Sequence, residues 1–465
     1  MAKNKRKRRD DDDEEDSGGD GSDGDERDGD GDGSDDSEQE EEDFFVACAD
    51  GNLTAVEEMH AQGAANPLAT EPEEGDTPLG VACRFGHVEV AKWLVTHGAN
   101  PTATNHAGEG PLHDACLHGS VAMIEWLLTL PEVGGASGSE TATSSDVPIN
   151  QPTAQGMTPI AFAALQGHTD AVRALAAKGA DVSVVDAEGH TLIHLACSKG
   201  HVATATSLRE LGVPVAARDA AGRTAMHLAC GEGQLAAARW LREEAKLPVD
   251  EPDSGGARPL HFACAAGDEA TVRWLLSDEK ASACLPTADG NTPLHHACQF
   301  GSVAMAEALL DAPGTKISAA NEDGDTPFLL SCFGGHKPLC ELLHSRGERP
   351  DQVNGTKCSG FLQACAAGQM EVAKWLLLKA PTMIDAPDEE GRTPLVHCCA
   401  QEHAELAEWL LQQGAVPTQD AARVAKGQHH ISKILRWALR ERGDAEPEEG
   451  SAGAAASSSG GKRRK

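Results

Sequence analysis

Apolar and polar positions follow one another with the period of an α-helix, in short segments separated by turns. In the segment around residue 292, the turn Asp289-Gly290 precedes Thr292-Pro293, a hydroxyl followed by the residue best suited to the first helical position. Gly301 suits the end of that helix, because glycine reaches the left-handed conformation at little cost. A second apolar stripe at helical spacing follows, at Val303, Ala306, Leu309 and Leu310. The pattern predicts a turn, a short helix, a second turn and a longer helix.

This unit recurs along the chain. Thr77-Pro-Leu-Gly-Val-Ala-Cys83 returns as Thr292-Pro-Leu-His-His-Ala-Cys298 and as Thr326-Pro-Phe-Leu-Leu-Ser-Cys332. With the Thr or its replacement as the start, we number repeats 1 to 12 from Glu42, Thr77, Gly110, Thr158, Thr191, Thr224, Arg258, Thr292, Thr326, Ser359, Thr393 and a shortened copy near Thr418. The full-length copies are spaced by 33 to 35 residues, except for one spacing of 48. One such unit cannot bury its own apolar faces, but stacked neighbours can.

The repeated motif resembles the ankyrin repeat, whose pattern T-P-L-H-x-A, followed by G-H, occupies a unit of 33 residues. The resemblance covers residues 42–442 and implies an all-α solenoid of helix-turn-helix units joined by β-hairpin loops, about 12 units including two end caps. Among the starts that depart from the motif, Gly110 and Ser359 replace the Thr, and we expect weaker helix capping there.

The segments outside the repeats are distinguished by their charge. Residues 10–43 carry 21 Asp and Glu against Arg27 alone, which is −20 of the formal net charge of −35. Self-repelling charge of this density predicts a disordered tail over residues 1–41, basic and then acidic, and residues 443–465 predict a second disordered tail with a basic end.

Composition excludes several classes of function. No basic stripe is visible between residues 44 and 442, so a nucleic-acid surface is not expected. No apolar run approaches the length of a membrane span, so we expect no membrane insertion. No apolar signal segment precedes the 14 Cys, which indicates reduced thiols in the nucleus or cytosol rather than a disulfide framework.

Histidine and cysteine are the first candidates for chemistry. Five pairs have helical i, i+3 spacing, namely His113/Cys116, His194/Cys197, His227/Cys230, His261/Cys264 and His295/Cys298. Zinc needs four converging ligands, whereas these pairs belong to successive units. The Cys recurs six residues after the start in ten of the eleven full-length copies, and Ala164 replaces it in the other. A residue that exchanges with Ala is interpreted as a small buried side chain.

Tryptophan shows the same periodicity. Six of the seven Trp, at positions 93, 126, 240, 274, 375 and 409, lie sixteen residues into their copies. Apolar neighbours such as Leu94 and Val95 favour burial over an aromatic cage for a ligand.

Motifs of catalysis are absent from the sequence. It contains no nucleophile elbow, phosphate-binding glycine loop, H-E-x-x-H or C-x-x-C pair. We therefore expect no enzyme activity, no cofactor and no metal.

The resemblance implies that a partner protein binds the concave side of the stack, formed by the first helices and the hairpin tips. The positions left free there are the residue before each start and the seventh and eighth residues after it. The partner-binding candidates are Asp76, Arg84, Phe85, Glu109, His118, Lys199, Arg223, Phe300, Asp325, Phe333 and Arg392. Phe300 and Phe333, in adjacent copies, are the leading pair, since aromatic and Arg side chains dominate protein interfaces. The competing interpretation is that these two rings shield the turns between helices.

The long spacing contains an insertion of about 15 residues within 134–150 whose composition is that of a flexible loop, either a partner contact or inert.

These features predict a monomeric adaptor or scaffold that binds another protein. The alternative is a nuclear acidic chaperone-like factor that binds basic proteins through residues 10–43. The basic runs Lys3–Arg9 and Lys462–Lys465 resemble nuclear import signals, so we expect the protein in the nucleus or the cytoplasm.

Overall fold

A computed structural model describes residues 34–442 apart from residue 65 and segments 131–148, 278–280 and 427–428. These residues form pairs of antiparallel α-helices. The first helices are α1 (Ser34–Asp50), α3 (Pro78–Arg84), α5 (Pro111–His118), α7 (Pro159–Gln166), α9 (Leu192–Ser198), α11 (Ala225–Gly231), α13 (Pro259–Ala266), α15 (Pro293–Phe300), α17 (Pro327–Phe333), α19 (Gly360–Ala366), α21 (Pro394–Ala400) and α23 (Gln419–Val424). The second helices are α2 (Leu53–Gln62), α4 (Val88–Thr96), α6 (Val121–Leu127), α8 (Thr169–Ala177), α10 (Val202–Glu210), α12 (Leu235–Glu243), α14 (Glu269–Ser277), α16 (Val303–Asp311), α18 (Lys337–Ser345), α20 (Met370–Lys379), α22 (Ala404–Gln412) and α24 (His429–Arg442). A 3-10 turn, Pro381–Met383, follows α20.

The starts predicted from the sequence, from Thr77 to Thr418, are the N-cap residues of the first helices. The Thr77 hydroxyl accepts a hydrogen bond from the Gly80 amide at 3.0 Å. Ser359 does the same for Leu362 at 3.2 Å, so the expectation of weaker capping at Ser359 is wrong, because its hydroxyl satisfies the same orphan amide. Gly110 has no side chain to offer and is capped through its own amide instead, as described below.

The N-terminal boundary differs from the one predicted. Helix α1 begins at Ser34, eight residues before Glu42, so part of the segment assigned to a disordered tail is helical. Glu and Gln dominate positions 38–42, and both favour helix, while acidic residues are favourable near a helix N-terminus. Residues 1–33 and 443–465, with the remainder of both predicted tails, lie outside the described part of the chain.

The loops before the first helices form hairpins without strands. Each loop from repeat 2 to repeat 11 is closed by a backbone hydrogen bond, such as Asn321 N to Asp325 O at 3.0 Å. Each loop from repeat 3 to repeat 11 also donates one to the loop before it, such as Glu322 N to Asp289 O at 2.9 Å. The β-type pairing within the described residues consists of two isolated bridges, Val185 with Thr191 and Val353 with Ser359. The described chain is therefore all-α, and its hairpins are held by neighbouring hairpins.

The core runs continuously along the stack between first and second helices. First helices pack on the first helices of the next repeat, and second helices likewise, as α6 does on α8 and α14 on α16. The ten Cys that recur six residues after each start are fully buried, and so is Ala164. Burial raises the pKa of all ten thiols, for example that of Cys48 to about 12. The prediction of small packing residues is confirmed.

Tryptophan is buried less uniformly than predicted. Trp240 is 7% exposed, and the guanidinium of Arg209 lies over its ring, 5.4 Å from the ring centre. The other five Trp of the series pack against the core but are only partly buried, because they lie toward the outer surface of the second helices. Trp437, on the end helix α24, is 62% exposed.

Buried imidazoles join each repeat to the next. The Thr224 amide donates to His227 Nδ1 at 3.0 Å, and His227 Nε2 lies 3.3 Å from the Ala257 carbonyl of the following hairpin. Since Nδ1 accepts, Nε2 must carry the proton and donate. The same amide bond to Nδ1 is made by His113, His194, His261 and His295. In four of these five rings both nitrogens are therefore occupied in the neutral form, and a second proton would meet a backbone N–H. The Nε2 atom of His261 is buried without a hydrogen-bond partner.

A second set of imidazoles reaches the preceding repeat. His87 Nε2 lies 2.8 Å from Ala49 O, and His403 Nε2 lies 3.1 Å from Ala366 O. These rings lie against the glycine that ends the neighbouring first helix. At Gly167, where φ is +80°, an added Cβ would collide with the ring of His201. Glycine is needed there both for the backbone conformation and for the space.

In the described part of the chain, no helix combines the length and the apolar character that crossing a membrane requires.

Replacing Trp240 by Ala is expected to lower the free energy of unfolding by about 3 to 5 kcal/mol, because a large buried side chain is lost. Trp437→Ala is the control and should change stability little, since most of that ring is exposed. Urea unfolding followed by circular dichroism measures both. Equal effects of the two substitutions would contradict the burial of Trp240.

Acidification is expected to destabilise the stack through the bridging imidazoles. Burial lowers the pKa of His194 to about 4 and that of His261 to about 3. The unfolded chain then binds more protons below about pH 6.5, so stability is complete above that pH and is lost as pH falls toward the folded pKa values. For His194 alone the loss between pH 7.5 and 5.0 is about 2 kcal/mol.

Thermal melts at the two pH values test this in the Asp114→Asn background. That variant removes the Asp114 carboxyl, whose pKa is raised to about 7 by burial, against the opposing effect of Arg84. A carboxyl with a raised pKa changes stability with pH in the direction opposite to the imidazoles, so its removal isolates their effect. An unchanged or higher midpoint at pH 5.0 would exclude the proposed role of the imidazoles.

Candidate binding surface

The first helices and the hairpin loops form one face of the stack, which we call the first-helix face. It contains the residue before each start and the seventh and eighth residues after it, where the eleven candidates lie. The structure separates these candidates into two groups, according to whether the side chain already forms a hydrogen bond or an ion pair with another residue of the chain.

At repeats 2 and 3, the candidates form a partly buried ion-pair network. Arg84 donates to Asp76 at 2.5 and 3.0 Å and to Asp114 of the next repeat at 2.8 Å. Both carboxylates are buried. Asn105 bridges Asp76 and Glu109, at 2.9 and 3.2 Å. Asp76, Arg84 and Glu109 are therefore committed to contacts between repeats.

Electrostatics in this network follow from burial. Burial acts to raise the pKa of Asp76, but the hydrogen bonds from Arg84 and Asn105 hold it below its usual value. At Asp114 burial prevails, and the pKa rises to about 7. Gly80 makes the arrangement possible, because a Cβ there would lie 2.9 Å from an Asp114 oxygen.

Two further arginines are held by an acid four residues earlier. Arg223 Nε donates to Asp219 at 2.6 Å, and its amino group lies 3.1 Å from His190 Nε2. Arg392 Nε donates to Asp388 at 2.9 Å. Both carboxylates also accept the amide of their arginine, which locks the hairpin.

The remaining charged candidates are also paired. Asp325 accepts from Asn354 at 2.9 Å and from Gln363 at 2.7 Å, both in or beside the next repeat. Lys199 forms an exposed ion pair with Glu232 at 3.2 Å.

The three phenylalanines form the second group. Phe85, Phe300 and Phe333 are 50, 52 and 55% exposed at the C-terminal ends of α3, α15 and α17. Phe85 is isolated in repeat 2, whereas Phe300 and Phe333 lie in adjacent repeats. His118 is exposed as well, with its ring against Gly86.

Both interpretations of Phe300 have a structural basis. Its ring lies against Gly267 of the preceding repeat, where an added Cβ would collide with it, so it does cover that turn. Half of the side chain is nevertheless open to solvent. A ring held on one face and open on the other is preordered for contact with a partner.

Sequence reasoning missed two sets of residues. The fourth position after each start also reaches this face, with Phe262 and Leu330 partly exposed. The hairpin tips of repeats 8 and 9 add the exposed carboxylates Asp289, Glu322 and Asp323. These carboxylates lie three or four residues before the starts, so the repeat register of the sequence already indicates their position.

Metal-ligand geometry is limited. Within the described residues, the one group of three possible ligand atoms is Glu71, Glu74 and Asp76, and Asp76 is already bonded to Arg84 and Asn105. The His and Cys of the five i, i+3 pairs do not converge in such a group. Their nitrogens and thiols serve hydrogen bonding and packing.

The predicted insertion within 134–150 lies almost wholly outside the described residues, as does the basic run Lys3–Arg9.

Comparison with protein families finds ankyrin repeats, in a model of three copies, at residues 44–136, 139–219, 210–287, 260–354 and 330–421. These matches together cover most of the chain. No curated protein matches it significantly.

Substituting Arg84 by Ala is expected to lower the free energy of unfolding by about 3 to 5 kcal/mol, because it leaves two buried carboxylates without a counter-charge. Arg346→Ala is the matched control. It breaks the exposed Arg346–Asp311 pair, which also joins two repeats, and should cost at most about 1 kcal/mol. Urea unfolding at pH 7.5 measures both, and similar small effects would show that the network is not buried in solution.

Proposed function

Because the chain belongs to the ankyrin-repeat family, whose repeats are generally protein–protein interaction modules, we propose that it is an adaptor or scaffold that binds a partner protein through its first-helix face. The partner-binding residues are Phe300 and Phe333, together with the surface around them.

The exposure of these two rings is the observation that carries the proposal. Both are more than half exposed on adjacent first helices. The repeat requires an aromatic residue at neither position, as Ala366 and Ala400 show at the seventh position and Ala367 and Gln401 at the eighth. Aromatic side chains of this kind dominate the binding energy of protein interfaces. The charged candidates, by contrast, are occupied by internal ion pairs or hydrogen bonds.

Residues 10–43 support a second role. Their 21 acidic residues suit a basic partner, so the acidic chaperone-like function remains the alternative proposal. Nuclear import through Lys3–Arg9 is a proposal that rests on the sequence alone.

Affinity capture tests the role of the first-helix face. The full chain, the double variant Phe300→Ala/Phe333→Ala and the control Phe85→Ala are immobilised and incubated with lysate, and bound proteins are quantified by mass spectrometry. We expect at least one partner to fall about tenfold or more with the double variant and to persist with the control, since loss of hot-spot side chains typically has this size.

A variant lacking residues 10–33 separates the two roles. Capture that survives this deletion but fails in the double variant supports binding through the first-helix face. Capture lost only on the deletion would instead support the acidic chaperone-like factor. Circular dichroism of each variant confirms that the helices remain folded.

A further inference from the structure

The first-helix face changes character along the stack. In repeats 2, 3, 5 and 6, the fourth, seventh and eighth positions after the start include Arg84, Asp114, Lys199 and Glu232. In repeats 7 to 10 the same three positions contain no Asp, Glu, Lys or Arg. At these three positions the C-terminal half of this face therefore lacks the charges that characterise most of the N-terminal half, although the residue before the start of repeat 9, Asp325, is charged.

Apolar side chains dominate this uncharged region. Phe262, Phe300, Leu330 and Phe333, which we call the apolar floor, lie on three successive first helices and are each partly or largely exposed. Small residues flank it, with Ala265 and Ala266 on one side and Ala366 and Ala367 on the other. Phe300 and Phe333 therefore lie between positions that are occupied by small side chains.

Carboxylates border this floor on the hairpin side. Asp289, Glu322 and Asp323, which we call the acidic rim, are exposed at the tips of the hairpins before α15 and α17. The two tips are hydrogen-bonded in series, from Glu322 N to Asp289 O at 2.9 Å and from Gly355 N to Asp323 O at 3.2 Å. None of the three carboxylates forms an ion pair with another described residue. This distinguishes them from Asp76, Asp219 and Asp388, whose charges are neutralised by arginines.

Positive charge is sparse at the same level of the stack. The nearby cations in the repeat register are Lys316, six residues before Glu322, Lys337, at the start of α18, and Lys357, in the hairpin before α19. None of them forms a described ion pair with the rim, which therefore presents negative charge without a paired cation next to the uncharged positions of the first helices.

From this juxtaposition we propose that the apolar floor and the acidic rim bind a basic peptide segment of the partner, in which apolar anchors alternate with Arg or Lys. The proposal rests on the proposed function and specifies the chemistry of its partner. The anchors contact Phe300 and Phe333, Arg guanidinium groups stack on the same rings, and the cations face Asp289, Glu322 and Asp323.

Charge complementarity excludes an acidic occupant. The chain has a net charge of −35, and an acidic segment, including residues 10–33 of this chain, would bring like charge against the rim. An uncharged apolar segment would contact the floor but would leave the rim without a counterpart. A basic segment satisfies both surfaces.

Peptide selection tests the proposal. Random linear dodecapeptides displayed on phage are selected on the full chain, and the enriched peptides are synthesised and measured by fluorescence anisotropy. We expect enrichment of Arg or Lys together with aromatic or aliphatic residues. Replacing the Arg and Lys of an enriched peptide by Gln should weaken binding about tenfold, and added salt should weaken it further.

Protein variants locate the binding site. Phe300→Ala/Phe333→Ala should weaken the enriched peptide about tenfold or more. Asp289→Asn/Glu322→Gln/Asp323→Asn should weaken it several-fold and reduce the dependence on salt. Leu378→Ala, on the second helix α20, where the side chain is 79% exposed, is the control for the loss of exposed apolar surface, and Glu73→Gln/Glu74→Gln, at the hairpin of repeat 2, is the control for the carboxylates. Both controls should bind as the unchanged chain does.

Each other outcome overturns the inference in a recognisable way. Peptides that need Phe300 and Phe333 but show no basic enrichment would preserve the proposed function and refute the basic partner. Basic peptides that ignore these variants and are lost on deletion of residues 10–33 would assign the binding to the acidic segment. Selection that yields no peptide sensitive to either set of variants would also refute the proposal, whereas the protein capture described above judges the proposed function independently.

Discussion

Five repeats of this protein depend on a buried imidazole hydrogen bond at the start of the first helix, and in four of them the same ring bonds the next repeat. The imidazole of His227 accepts a hydrogen bond from the backbone amide at the start of its own helix, and its second nitrogen contacts the next hairpin. Four other repeats have a counterpart of this imidazole. A buried backbone amide without a partner costs free energy comparable to a lost hydrogen bond. The ring therefore fixes the helix start and, in four of the five repeats, the position of the following unit together. Order in one repeat requires order in the next, and the stack is stabilised through nearest neighbours.

This constraint explains the structural use of the most conspicuous residues of the sequence. The periodic Cys are buried between first helices, and the periodic His hold hairpins in place. Many charged candidates have a similar structural use, because Arg84, Arg223 and Arg392 neutralise carboxylates that the stacking buries. A repeat protein consumes most of its polar side chains in joining units. The residues that remain exposed without such a role, above all Phe300 and Phe333, are therefore the informative ones.

The same reasoning connects the charge of the chain to its partner. Negative charge lies both in residues 10–43 and at hairpin tips such as Asp289 and Glu322, while the surface beside those tips in repeats 7 to 10 is uncharged. Long-range attraction and short-range apolar contact are thus supplied by different parts of the protein. The first favours the rate and selectivity of association, and the second supplies most of the affinity.

Local chemistry in the sequence determined the all-α class, the repeat register and the helix starts, because a Thr-Pro cap and a glycine stop act within a single unit. It also determined the burial of the Cys series, since exchange with Ala reveals a small enclosed position. Tertiary structure alone decided which candidates are occupied. Arg84 meets Asp114 30 positions away, and Asp325 meets Gln363 38 positions away; no local pattern encodes such pairs. It likewise decided that five of the periodic Trp stay partly exposed, because burial depends on the neighbouring helix as much as on the residue itself.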